Sequence, residues 1–251
     1  MTRRIIALFN QAGGVGKSTL TMNLGYHLAQ RNNKVLLVDM DPQGSLTMFM
    51  GLEASELEDT VYNAVVDGDA LPISKNIHGM DLAPSNIDLS GAELGLVMAD
   101  MRDFKLKQAL EPVVKNYDFI LIDCPPSLGI LSYISLVAAT HVLIPIQTHN
   151  KALRGTELLF QTLARVQRGA NQQLKVAGII PTMYDGRTAQ GNRSLDSVRQ
   201  LGAQIPVYET IPIAIAFADA SEKHMPLALY SSSHPTVKVL EKIAKSLDAL
   251  Q

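Results

Sequence analysis

The segment Asn10-Gln11-Ala12-Gly13-Gly14-Val15-Gly16-Lys17-Ser18-Thr19 limits what this chain can fold into more than any other stretch. Glycine tolerates backbone angles closed to other residues, so the N–H groups around Gly13, Gly14 and Gly16 can turn inward and cradle phosphate oxygens. Residues 4–9 precede the loop and read as a buried apolar strand. Residues 19–31 follow it, with Leu20, Met22, Leu24, Leu28 and Ala29 on one helical face. Strand, glycine loop and helix together make the setting of a phosphate-binding loop, with phosphates on a helix N-terminus. Lys17 would reach the β- and γ-phosphates of a nucleoside triphosphate, and the Ser18 hydroxyl would ligate Mg²⁺. Gln11, Ala12, Val15 and Thr19 complete the expected contact set.

Composition narrows the class. A chain of 251 residues, 47% hydrophobic, can bury a substantial core, and a single domain over residues 1–251 is expected. No apolar run approaches the ~18 residues of a membrane span. Arg3 and Arg4 ahead of the apolar residues 5–9 superficially suggest a signal peptide, but that run is too short and leads straight into the loop. The lone Cys124 excludes an intramolecular disulfide and argues against a Cys-ligated iron–sulfur cluster; it reads as a small buried residue. A soluble cytoplasmic protein is expected. The net charge of −2 carries no global signature of nucleic-acid binding, so a DNA contact would need a local patch.

Short apolar runs alternate with helical stretches. Residues 34–38, 81–83, 119–122, 141–146, 176–180 and 207–211 read as strands, and 95–116, 128–139, 152–168, 188–202 and 235–250 as helices. The pattern predicts an α/β fold: one doubly wound, mostly parallel sheet with helices on both faces. Ligands in such folds bind beyond the carboxyl ends of the strands, so each strand end is a candidate site. The second strand runs into Asp39-Met40-Asp41-Pro42-Gln43, where carboxylates two residues apart can serve different centres, one a metal and one a water, or merely cap a turn. Residues 119–122 run into Asp123, a carboxylate placed to hold Mg²⁺ together with Ser18.

The ordinary loop pattern has glycine six residues before its lysine; here Gln11 stands there. The match is to the deviant form, lysine–Gly–Gly–x–Gly–Lys–Ser/Thr, with Ala12 in place of the first lysine. On these residues the chain resembles the ParA/MinD family of deviant Walker-box ATPases. The resemblance covers nearly the whole chain. It implies a P-loop NTPase fold, ATP and Mg²⁺ as ligands, and dimerisation on ATP, because the family's first lysine crosses the dimer interface to the partner's nucleotide. It also implies that Asp41 positions the attacking water, that Asp39 sits near Mg²⁺ or the site wall, and that Pro125 and Pro126 sense the γ-phosphate. Met183 and Pro212 would flank the adenine.

The departure at Ala12 raises the question of a replacement cation. Lys151, just past residues 141–146, falls on the ligand edge where family members usually carry an uncharged residue. It is the expected source of the relocated charge and a catalytic candidate beside Lys17 and Asp41, with Arg154 and Arg187 as rivals and an ordinary solvated lysine as the bland alternative. The missing lysine resembles the carboxysome-positioning McdA branch. The family function implied is non-specific, ATP-gated DNA binding on the nucleoid and cargo positioning, with release through an adaptor of ParB or McdB type. Candidate DNA contacts are Lys238, Lys242 and Lys245, which share a helical face, and Arg187 with Arg193 and Arg199. Two other classes compete: a MinD-like membrane switch, which needs a terminal basic amphipathic helix, and a metabolic ATP-dependent enzyme. Val237, Leu240, Ile243, Ala244, Leu247 and Leu250 read as a core-facing stripe, against membrane attachment.

Overall fold

The computed structural model describes residues 3–149, 155–201 and 205–250. Strands β1 (Arg4–Leu8), β2 (Val35–Asp39), β3 (Ser74–Ile77), β4 (Met80–Ala83), β5 (Phe119–Asp123), β6 (His141–Gln147) and β7 (Lys175–Thr182) form a seven-stranded sheet in the order β3-β4-β2-β5-β1-β6-β7. All neighbours are parallel except β3, which pairs antiparallel with β4 at the edge. The central strands β1, β2 and β5 are apolar apart from Arg4, Asp39 and Asp123 at their ends, because helices cover both faces. Their side chains divide by alternation: Ile6, Leu37 and Leu121 go to one core, and Ala7, Leu36 and Ile120 to the other.

Helices α1 (Lys17–Ala29) and α10 (Pro235–Asp248) cover one face, where Leu20, Leu24 and Leu28 share a core with Leu240, Ile243 and Leu247. On the other face lie α4 (Lys105–Leu110), α5 (Ile130–Ala138) and α6 (Thr156–Arg168), through Leu106, Ile134 and Leu159. Shorter helices α2 (Ser45–Phe49), α3 (Ala92–Val97), α8 (Ile215–Glu222) and α9 (Leu227–Tyr230) and the longer α7 (Ala189–Leu201) complete the described set. Gly25 lets α1 approach the sheet closely: a Cβ there would fall 2.7 Å from Leu37 Cδ2 and 2.9 Å from Met80 Sδ.

Two expectations fail locally. The helix expected over 95–116 is broken into α3 and α4 with 3₁₀ turns between and after them. Met101 adopts a left-handed φ of 54°, and Pro112, without an N–H, follows the end of α4 at Leu110. The strand expected over 207–211 is an edge segment that touches β7 through an isolated bridge, Ile179 to Val207, with a second bridge just beyond both, Tyr184 to Pro212. Pro206 and Pro212 cannot donate to a ladder, so pairing stays intermittent.

Candidate active site

The loop after β1 is held from both ends. The Asn10 side-chain amide donates to the Pro145 carbonyl (2.7 Å), and its Oδ1 accepts the Ala12 N–H (2.9 Å), which ties the loop to β6. Lys17 opens α1, and its Nζ donates back to the carbonyls of Asn10 (3.0 Å) and Ala12 (2.9 Å). Gly16, with a φ of 89°, precedes α1 and supplies no side-chain cap, so the first-turn N–H groups face the ligand edge. A Cβ added at Gly14 or Gly16 would meet no atom within 4 Å, so the inner rim is a cradle rather than packed chain. Ser18 and Thr19 sit half-buried in that first turn.

Parallel register brings the carboxylates alongside. Leu8 pairs with Asp123 and Asp39 pairs with Asp123, so the ends of β1, β5 and β2 lie level. Asp123 is fully buried, and neither of its carboxylate oxygens has a hydrogen-bond partner among the described residues. Burial, with the Asp39 carboxylate beside it, pushes the Asp123 carboxyl well above the ordinary range. The nearby Ser18 hydroxyl and Lys17 ammonium pull it part of the way back without closing a well-formed bond. Burial in turn lowers the Lys17 pKa, opposed most by Asp123. A buried carboxylate without donors, next to a hydroxyl and an open glycine cradle, is the donor set that suits a hard divalent cation on a phosphate chain.

Asp39 and Asp41 play different parts. Asp39 Oδ1 accepts the Asp41 N–H (3.1 Å), and its Oδ2 accepts both the Thr47 N–H (2.9 Å) and the Thr47 hydroxyl (2.7 Å). Both oxygens are therefore engaged with protein donors, although burial still lifts the carboxyl to about 6. Asp41 is 9% exposed, and its Oδ1 accepts the Gln43 N–H at 3.0 Å, which is the turn-capping contact. Its Oδ2 makes no hydrogen bond among the described residues. Cys124 is fully buried, and burial pushes its thiol up to about 12, so it is an inert packing residue. Pro126 lies against the loop: a Cβ on Gly13 would stand 3.8 Å from Pro126 Cβ.

At the far end of the same edge, Thr148 bonds through N and Oγ1 to the Thr182 carbonyl (2.9 and 3.2 Å). Met183 follows in the left-handed region, with a φ of 53°. Tyr184 then pairs with Pro212, so Met183 and Pro212 are brought to one place. Lys151 and Arg154 lie outside the described residues.

A protein-family model described as "AAA domain" matches residues 3–176. The sporulation initiation inhibitor protein Soj of Bacillus subtilis is 40% identical over 250 residues, 98% of each chain. The chain belongs to the ParA/MinD-type family of P-loop ATPases. Among solved structures, cobyrinic acid a,c-diamide synthase of Mycobacterium smegmatis with ADP and magnesium is 38% identical, with a TM-score of 0.80, covering 88% of this chain and 92% of that one. Apo McdA of Cyanothece superposes at a TM-score of 0.88 over 98% of this chain and 100% of its own; at 23% identity it shows the fold alone.

Several of the suggested DNA residues are engaged with acidic partners. Lys238, Lys242 and Lys245 do share the exposed face of α10, but Lys242 pairs with Glu209 (2.9 Å). Arg187 is held by Asp185 through two bonds, 2.9 and 3.0 Å. Sequence reading missed Asn10, Thr47, Ser85 and Thr148 as site-building residues. Isolated hydroxyls and amides carry no spacing signal; their role depends on strands far apart in sequence becoming neighbours. No helix among the described residues is long and apolar enough to cross a membrane.

Proposed function

We propose that the protein is a nucleotide-switched ATPase that binds ATP with Mg²⁺, pairs with a second copy of itself in the ATP state, and partitions a cargo over DNA. The observation that carries this reading is the Asp123 carboxylate: buried, without donors among the described residues, level with the strand end that opens the glycine loop, and near Lys17 and Asp41. Mg²⁺, when bound, would neutralise charge on the phosphates. Ser18 and Asp123 are the residues that would hold it. Lys17, freed from the Asn10 and Ala12 carbonyls, would bind the phosphates. Asp41, whose Oδ2 has no protein donor among the described residues, would orient the attacking water. Asp39 is better suited to holding the Asp41 backbone than to binding metal, because both of its oxygens already accept protein donors. Met183 and Pro212 would flank the base.

The cargo reading draws on the relatives. The chromosome-partitioning ATPase Soj of Treponema pallidum is 38% identical over 98% of this chain, whereas likeness to McdA extends only to the fold, so chromosome or plasmid partition with a ParB-type adaptor is favoured over carboxysome positioning. Exposed cations on α10, doubled by dimerisation, would supply weak, sequence-independent phosphate contacts. The apolar stripe of α10 is committed to the core, which speaks against a membrane-switch role for that helix. Likeness to the M. smegmatis synthase supports a second reading, a metabolic enzyme that spends ATP on a small-molecule substrate. Hydrolysis measured with and without non-specific DNA separates the two. Stimulation by DNA without any other substrate supports partition, and hydrolysis that needs a small-molecule acceptor overturns it.

Because Ala12 removes a cation from the loop, Lys151 is proposed as the interface charge. Lys151→Ala should abolish ATP-dependent dimers in light scattering; unchanged dimers would sink that assignment.

A further inference from the structure

Asp41 can orient a water only if its backbone is fixed, and three buried side chains fix it. Thr47 Oγ1 donates to Asp39 Oδ2 (2.7 Å) and accepts the Ser85 N–H (2.9 Å). Ser85 Oγ then donates to the Asp41 carbonyl (2.9 Å), while Asp39 Oδ1 accepts the Asp41 N–H (3.1 Å). The circuit starts and ends at Asp41, so its N–H and its carbonyl are both held while Oδ2 has no donor among the described residues. Asp39, Thr47 and Ser85 are each completely buried. Residues from three elements meet there: the end of β2, helix α2, and the turn after β4. An apolar filling of the same shape would avoid desolvating two hydroxyls and a carboxylate, so the polar circuit calls for a reason beyond packing.

We infer that Thr47 and Ser85 are positioning residues for hydrolysis, forming with Asp39 a buried clamp that sets the direction of the Asp41 carboxylate. This rests on the reading of Asp41 as the water-orienting group. Neither hydroxyl touches nucleotide in this account; each acts through Asp41. A displacement of the reacting geometry by about 1 Å can cost on the order of 100-fold in rate, so loosening one clamp bond should be visible in turnover.

The test compares Thr47→Val, Thr47→Ser, Ser85→Ala and Asp41→Asn in steady-state ATP hydrolysis and in equilibrium binding of a fluorescent ATP analogue. Thr47→Val should lower kcat by about tenfold or more, with the analogue's Kd within about threefold of the parent. Thr47→Ser keeps the hydroxyl and should restore kcat to within about threefold. Ser85→Ala removes one clamp bond, together with the long contact to the Asn86 carbonyl, and should lower kcat by a smaller factor with binding unchanged; it also serves where Thr47→Val does not fold. Wild-type kcat in folded Thr47→Val and Ser85→Ala, or equal loss in Thr47→Val and Thr47→Ser, overturns the clamp. Loss in Asp41→Asn with none in the clamp variants leaves the Asp41 reading standing and removes only this inference. Full activity in Asp41→Asn removes the reading on which it rests.

Discussion

Burying the Asp123 carboxylate beside Asp39 costs the protein stability whenever no cation answers it. Because its folded pKa is raised above the ordinary value of 3.8, the folded state holds its proton more tightly than the unfolded chain does. The stability linked to that proton is complete below about pH 4 and is lost as pH rises through the folded pKa. Asp123→Asn should therefore stabilise the metal-free protein at pH 8 by roughly 1–3 kcal/mol and abolish Mg²⁺-dependent hydrolysis. Calorimetry at pH 5 and pH 8 checks the sign: the gain in Tm should widen with pH, and a gain that shrinks would contradict it. Residues of this kind were readable beforehand when a rule tied them to the ligand edge: glycines and Lys17 through the loop pattern, Asp123 through its strand end. Thr47 and Ser85 were not readable. They lie 38 positions apart, and only the parallel pairing of β2 with β4, Val38 opposite Ala83, brings them to one place.

Helix α10 shows what periodicity can and cannot deliver. Its stripe of Leu240, Ile243, Ala244 and Leu247 was legible as core-facing, and these side chains do fill the core shared with α1. Arg31 adds an ion pair to Asp248 at 3.0 Å, a small contribution because both side chains stay partly open to water. Leu240→Ala should thus cost about 2–5 kcal/mol in urea unfolding, since the fixed sheet behind it cannot collapse into the cavity. A loss below about 1 kcal/mol would mean that α10 is not docked as described. By contrast, the break between α3 and α4 had no readable cue. An apolar pattern runs on past Val97, where α3 ends, to Met101, whose left-handed backbone leads into the next 3₁₀ turn. Strand β3, Ser-Lys-Asn-Ile, is polar and half-exposed at the sheet edge, so it carries no alternation to detect.

At the scale of the molecule, sheet order does the selecting. Placing β1 between β5 and β6 puts the phosphate loop, Asp123 and the anchor at Pro145 on one edge, and β2 on the far side of β5 adds Asp39 and Asp41. The doubly wound sheet was predictable from the alternation of apolar runs and helices. The proposed pairing of two chains was expected from the family resemblance alone, because periodicity and spacing in one chain carry no mark of an interface. What the whole molecule is proposed to do, bind DNA only while holding ATP, is open to one direct measurement. Fluorescence anisotropy of a random-sequence duplex should rise with protein in Mg²⁺–ATP, weaken steeply with added salt, and stay flat in Mg²⁺–ADP. Equal binding in both nucleotides, or none in either, would contradict the account.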